Sequence, residues 1–427
     1  MKSRHGFPSL LTVRLFFLFC LLAVNPSWAA EWWLEPALSL GAQYDDNPAL
    51  TSFAHTSSHG TTISPRVDFG ARSLAWQVNG SAGLTRRSYS NENSLGRDSE
   101  NYAWSTQYNP SERTSFRLDG NLAYASNLVS EASPDPDVGI VVLNKQRKTS
   151  GYAPSWTWSM TELTQLNLGY QKTSVSYKDG LRFGLFDNDS HGVTGGLGYQ
   201  VSPQSRVFVN LGYSIFDVPE NSFESNTRNL QGGVSHNFSE TLSASLAIGA
   251  QKTASEGIVR RCLQRGVFTF VNGQLFFNPN ACAQFGDIFV NQDNTSSTLS
   301  ASLAKQFTVT NLSASLSRSL NTSGFGTLVQ TDAFNLQISR SFSSLLTGSL
   351  AISAVDYRSI FGDLTTDDRT FYQVSPSLNW QWTEKLSVGT SLSYRRFKPY
   401  SEPQAAATGR AIYLTVTYRG SRKSISR

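Results

Sequence analysis

The chain has 427 residues, more than one ordinary soluble domain unless a single large all-β unit takes most of the length. Charged residues are only 16%, hydrophobic residues 39% and aromatics 12%, which excludes a disordered chain; no window after residue 30 has the unbroken apolar length of a membrane helix, which excludes a helical transporter. The net charge of +5 belongs to the ends: Lys2, Arg4 and Arg14 lie in the first 29 residues and Arg419, Arg422, Lys423 and Arg427 in the last nine, so the body is left at −2 with no basic stripe for nucleic acid.

The N-terminus starts positively charged, runs apolar from Leu15 to Val24 and reaches small residues at Ser27 and Ala29. That order predicts a cleaved secretory signal over residues 1–29. Cys20 leaves with it. Cys262 and Cys282 remain as an even pair in an exported chain, which favours a disulfide over metal or redox chemistry.

From Trp33 onward the sequence alternates at period two in segments of about ten residues, and no segment carries a 3.6-residue stripe. The body is therefore all-β, with one face apolar and the other Ser, Thr, Asn, Gln and Gly. Two kinds of connection take turns along it. Tight turns are expected near Arg72, Asn109–Glu112, Ser159–Thr161, Ser202–Ser205, Ser239–Thr241, Thr308–Thr310, Ser343 and Thr383–Lys385, and loops over 45–60, 87–100, 125–148, 178–189, 217–226, 252–293, 321–331, 357–369 and 398–409. Eight turns and nine loops join eighteen strands. An even strand number with short turns at one end and long loops at the other predicts a transmembrane antiparallel up-and-down β-barrel of the bacterial outer membrane over residues 30–418, with short periplasmic turns and long extracellular loops. About 22 residues per strand and connection leave room for a tilted membrane span.

Every descending strand ends on an apolar-face aromatic: Phe69, Tyr108, Trp158, Tyr199, Phe238, Phe307, Phe342, Trp382 and Tyr418. Rings favour the headgroup level, so these nine predict the periplasmic girdle. Trp32 and Trp33 are expected to join it, and Tyr89, Tyr124, Tyr177, Phe216, Tyr357 and Phe397 to form the opposite belt. The other parity, with Gln77, Asn79, Asn167, Ser302, Ser315, Asn335 and Ser375, gives the lumen a lining of small, polar and nearly uncharged side chains. Arg66, Asp68, Arg117 and Asp119 are its main charges in the first third, readable as a local filter or, more simply, as self-neutralising pairs on the wall.

The longest loop holds Asn272-Gly273 between two β-prone runs, the signal of a type I′ hairpin. Counting outward from it brings Cys262 and Cys282 nearly opposite each other and predicts a bridge closing a ring of about 21 residues. No G-x-S-x-G, H-E-x-x-H, C-x-x-C or P-loop motif occurs, and no histidine stands beside a marked nucleophile, so neither an enzyme, a cofactor nor a metal is expected. Beyond Tyr418, residues 419–427 read as a basic periplasmic tail that leaves insertion by the outer-membrane assembly machinery intact.

The end of the first strand, Gly41-Ala42-Gln43-Tyr44-Asp45-Asp46-Asn47, followed by a barrel of this length, resembles the outer-membrane barrels associated with exosortase and exopolysaccharide gene clusters, the β-barrel porin 2 group. The resemblance implies a barrel in or near polysaccharide export. Together these readings predict a channel for polar solutes or a saccharide chain in a membrane of lipid and lipopolysaccharide. The alternative is a closed structural or surface-binding barrel that makes its contacts through the stapled loop.

Overall fold

The computed structural model describes residues 31–48, 50, 57–90, 98–126, 146–183, 185–271, 274–322, 328–360, 369–399 and 406–426, without the side chains of 126, 182, 183, 259–271, 274–285, 359, 399 and 426. The chain alternates in hydropathy, so each segment extends as a strand with successive side chains on opposite faces. In order these are β1 (Glu31–Asp45), β2 (Ser58–Arg72), β3 (Trp76–Tyr89), β4 (Asp98–Ser111), β5 (Thr114–Ser126), β6 (Gln146–Ser159), β7 (Thr164–Tyr177), β8 (Asn188–Ser202), β9 (Ser205–Val218) and β10 (Phe223–Ser239). There follow β11 (Leu242–Val271), β12 (Gln274–Gln306), β13 (Thr310–Thr322), β14 (Leu328–Ser341), β15 (Leu346–Ser359), β16 (Arg369–Gln381), β17 (Leu386–Pro399), β18 (Ala407–Arg419) and β19 (Lys423–Ser426).

Each strand from β1 to β17 pairs antiparallel with the next, and β1 pairs both β2 and β18, which closes the sheet. Closure leaves no sheet edge, the condition for strands to cross a bilayer. β18 and β19 lie along the same edge of β1, at Ala37–Asp45 and Glu31–Leu34 respectively, so the wall has eighteen positions. Between them the register shifts by one beside Pro36, which has no N–H to give; its carbonyl accepts the Gly420 N–H at 2.7 Å. The basic stretch after β18 thus runs on along the wall, with Arg419 3.3 Å from Glu35 and Arg422 3.7 Å from Glu31.

The apolar parity faces outward all round. On β9, Val207, Val209 and Leu211 are 42, 48 and 58% exposed, and the same holds for Leu38, Leu168, Leu246, Leu303, Leu378 and Leu414 on other strands. A continuous apolar band of this kind is stable only against lipid. The structure is an eighteen-strand antiparallel barrel of the bacterial outer membrane.

One expected loop is mostly strand. Pairing of β11 with β10 ends at Glu256, yet β11 and β12 continue pairing with each other to Val271 and Gln274. The fifteen residues from Gly257 to Val271 form a two-stranded ribbon about 50 Å long at ~3.3 Å per residue. Gly257 marks its departure at φ +139°, and a Cβ there would stand 2.4 Å from the Ser222 carbonyl oxygen. Asn272 and Gly273 lie outside the described residues. The backbone register sets Cys262 opposite Phe285 and Cys282 opposite Arg265, with slips between Cys262 and Val267. The cysteines are therefore not opposed, because those slips offset the count from the turn; their side chains lie outside the described residues.

Candidate functional site

The lumen wall is built by parity alone: the ladder carries Asp45, Ser58, Tyr89, Val175, Phe216, Phe223, Val355, Phe371, Arg395 and Ala411 at its loop end, and Arg66, Asp68, Arg117, Asp119, Ser313 and Gln337 further towards the turns. The two ends differ sharply in packing.

The turn-side wall is open and polar. Arg66 Nε and Nη2 donate to Asp68 at 2.8 and 2.7 Å, and Arg117 Nε donates to both oxygens of Asp119 at 3.0 and 2.7 Å. The pairs lie three strands apart at about the same level, and each arginine is more than half exposed, so each pair is worth at most about 1 kcal/mol. Arg206, unnoticed in the sequence, lies over Gly198 and donates to Gln165 Oε1 at 2.7 Å. Across the lumen, β10 to β16 carry two adjoining recesses of about 720 and 440 Å³. Ala304, Ser313 and Gln337 are common to both, and the second, lined by Ser302, Ser315, Asn335, Ser353, Gln373 and Ser375 among others, has no charged side chain.

At the loop end the lumen-facing side chains are buried. Phe186, Phe216, Val218, Phe223, Val290, Leu328 and Ile360 form one apolar cluster, and Leu50, Phe371 and Ala407 with Phe397 another. These residues come from β9 through β18 and from the β1–β2, β7–β8 and β15–β16 connections, so loop segments fold inward onto the wall. Asn294 Nδ2 donates to the Ile360 carbonyl at 3.0 Å and ties one such segment to β12.

The tetrapeptide Tyr44 to Asn47 makes the strongest of these attachments. Tyr44 points outward beside His59 at 5.0 Å. Asp45 points inward, where Arg395 Nη2 donates to its two oxygens at 2.7 and 2.6 Å, and the side chains are only 2 and 0% exposed. Asp45 Oδ1 also accepts the Asn47 N–H at 3.0 Å, an Asx turn that bends the chain inward. Asp46 Oδ1 accepts the Arg410 N–H at 2.6 Å, and Asn47 Nδ2 donates to the Thr408 carbonyl at 2.9 Å. Leu50 then drops among Phe371, Ala407 and Phe397. β18 makes room with small residues: a Cβ on Gly409 would meet both Leu50 and Arg395 at 3.2 Å. Arg369, also buried, stacks 4.4 Å over the Tyr357 ring.

The girdle residues Tyr108, Trp158, Tyr199, Phe238, Phe307, Phe342, Trp382 and Tyr418 stand outward at the turn end with 37–60% exposure, while Phe69 lies flat across Gly80. Six expected belt residues are corrected. Trp33 has lumen parity and lies under the Arg422 guanidinium at 4.6 Å. Of the six aromatics assigned to the opposite belt, only Tyr124 faces lipid; Tyr89, Tyr177, Phe216 and Tyr357 are buried on the lumen side, and Phe397 packs there too. Parity would have found them, since Tyr89 shares the odd positions of Gln77 and Asn79. Among the described residues no group of three or more His, Cys, Asp or Glu is arranged to hold a metal.

Closed ladder, lipid-facing exterior and polar interior define an outer-membrane barrel with a porin-like channel fold. A family model described as "Surface lipoprotein assembly modifier" matches residues 139–260, less than half of the chain. No curated protein matches the sequence. Among solved structures the chain is similar to Pseudomonas aeruginosa OpdQ (9% identity, TM-score 0.44, covering 91% of this chain and 98% of that one). It is also similar to the outer membrane protein OpdK of the same organism (9%, 0.41, 92% and 99%) and to Acinetobacter baumannii OccAB4 (9%, 0.43, 94% and 100%).

Proposed function

We propose that this barrel is a channel for neutral polar solutes, a saccharide chain among them, with an outer mouth held narrow by the loop layer that Asp45 and Arg395 fasten. The observation that carries it is the uncharged Ser, Asn and Gln trough on β12 to β16. Short hydroxyl and amide groups match sugar hydroxyls as donors and acceptors without selecting an ion. The resemblance of Tyr44 to Asn47 to barrels of polysaccharide gene clusters supports the saccharide class. In this reading residues 1–29 are the cleaved export signal and the lipid and lipopolysaccharide of the outer membrane surround the girdles.

A second reading has two observations of its own. The β11–β12 ribbon runs far beyond its barrel partners, and residues 139–260 match a family described by surface lipoprotein assembly. The barrel would then act on a partner through its extracellular face. Single-channel conductance in planar bilayers separates the two. Steady conductance with weak ion selectivity, blocked by neutral oligosaccharides, is expected for the channel; a correctly folded protein that stays silent even after Arg395→Met would sink it.

A further inference from the structure

The outward face of β17 and β18 carries three cations that neither a lumen nor a latch uses. Arg396 and Lys398 on β17 and Arg410 on β18 are exposed and have the lipid-facing parity at the loop end. Arg396 faces Thr408 and Arg410 faces Tyr394 in register, which makes the two arginines diagonal neighbours at about 7–8 Å. Lys398 follows two residues beyond Arg396 on the same face. Period two thus divides adjacent residues between separate environments, Arg395 into the buried lumen layer and Arg396 towards the outer leaflet.

Three other outward cations near this rim sit against acids: Lys252 is 2.8 Å from Asp293, Arg318 2.6 Å from Asp332 and Arg358 2.8 Å from Asp356. Among the described residues Arg396, Lys398 and Arg410 have no carboxylate within ion-pair distance, and the nearest acid along the ladder, Asp46, has Oδ1 engaged by the Arg410 N–H. Tyr372 and Tyr394, 46 and 40% exposed, flank the cations on the same face: Tyr372 faces Arg396 in register, and Tyr394 faces Arg410 and precedes Arg396 by two residues on the membrane side.

We infer that Arg396, Lys398 and Arg410 form a binding site for the phosphate groups of an outer-leaflet glycolipid. Cations that face lipid at headgroup depth meet anions carried by lipid. Guanidinium forks bind phosphate oxygens in pairs, and the tyrosine rings beside them provide a surface for the sugar and the first acyl carbons.

The test uses the full-length barrel in detergent, titrated with bisphosphorylated lipid A in mixed micelles and read by native mass spectrometry. The wild type is expected to hold the lipid, and the R396Q/K398Q/R410Q variant to bind about a hundredfold more weakly, the loss of two charge-assisted contacts. Arg318→Gln, which removes a paired cation, is expected to bind as the wild type. Folding of each variant is checked by heat-modifiable gel mobility. Should the triple variant not fold, R396Q alone is read, with about a tenfold loss expected and an unchanged affinity overturning the site. Equal binding of fully dephosphorylated lipid A, wild-type affinity in the triple variant, or inorganic phosphate binding as tightly as the lipid would each overturn the proposal.

Discussion

Two arginine–aspartate pairs in the same lumen show how different its two ends are. Arg117 and Asp119 meet at 2.7 Å near the turns with 53 and 40% of their side chains exposed; Arg395 and Asp45 meet at 2.6 Å near the loops with 0 and 2% exposed. The geometry is nearly equal. What differs is the medium, because water screens the first pair and solvates either partner alone, whereas the second has lost its water to Leu50, Asn47 and the small residues of β18. One pattern of alternation therefore builds a wetted wall at one end and a packed layer at the other.

The largest effect expected from this contrast is at Arg395. Removing one partner of a buried pair leaves the other charged and unsolvated, so Arg395→Met should destabilise the outer layer by about 3–5 kcal/mol. Its channel should open more often, and the β1–β2 connection should become a protease target. Adding Asp45→Leu to the same protein should recover most of the stability, since an apolar pair of similar volume carries no stranded charge. The comparison breaks if Arg117→Met costs as much as Arg395→Met in a urea titration of gel mobility; at most about 1 kcal/mol is expected for it.

Glycine sharpens the contrast with a smaller effect. At Gly257 the positive φ and the nearby Ser222 and Phe223 backbone leave no place for a methyl group, and Gly257→Ala should cost about 1–3 kcal/mol at the base of the ribbon. Gly389, on the wetted wall, has its nearest neighbour 3.7 Å from a built Cβ. Gly389→Ala should be neutral or gain a few tenths of a kcal/mol through the unfolded chain. Hydrogen exchange near each site distinguishes them: faster exchange beside residue 389 than beside residue 257 would reverse the argument.

The same difference decides what the sequence reveals. Wherever one face meets lipid and the other water, alternation is strong, and turns such as the one between Ser202 and Ser205 fall where they are expected. At the outer end both faces turn apolar. In Tyr213 to Val218 the outward Tyr213 and Ile215 alternate with the inward Phe216 and Val218, so period two no longer separates the sides. Counting those aromatics as a lipid belt followed from loop proximity, and strict parity corrects it. The ribbon was hidden for a related reason. From Thr253 to Gly266 no apolar alternation marks a face, because a two-stranded ribbon past the barrel wall has no second medium to read. Nothing in the spacing of Asp45 and Arg395 announces their contact either; it exists only because β1 closes against β18, beside β17.

The smallest expected effect is a pH dependence at the mouth. Asp187, in the β7–β8 connection beside the buried Phe186, has its carboxyl pushed above the ordinary range by burial, and the Asp189 carboxylate pushes the same way against the pull of the Tyr177 N–H, which donates to it at 2.8 Å. A carboxyl whose pKa is higher folded than unfolded holds more protons in the folded state, so its contribution to stability falls as pH rises through that window. The packed layer should therefore be firmest at pH near or below the ordinary carboxylate value of about 3.9 and loosen towards neutrality. Channel opening should rise slightly over the same range, and Asp187→Asn should flatten the rise while leaving the exposed pair at Arg117 unaffected. A profile that keeps its slope in Asp187→Asn would move the titration to another carboxylate and detach it from the layer around Phe186.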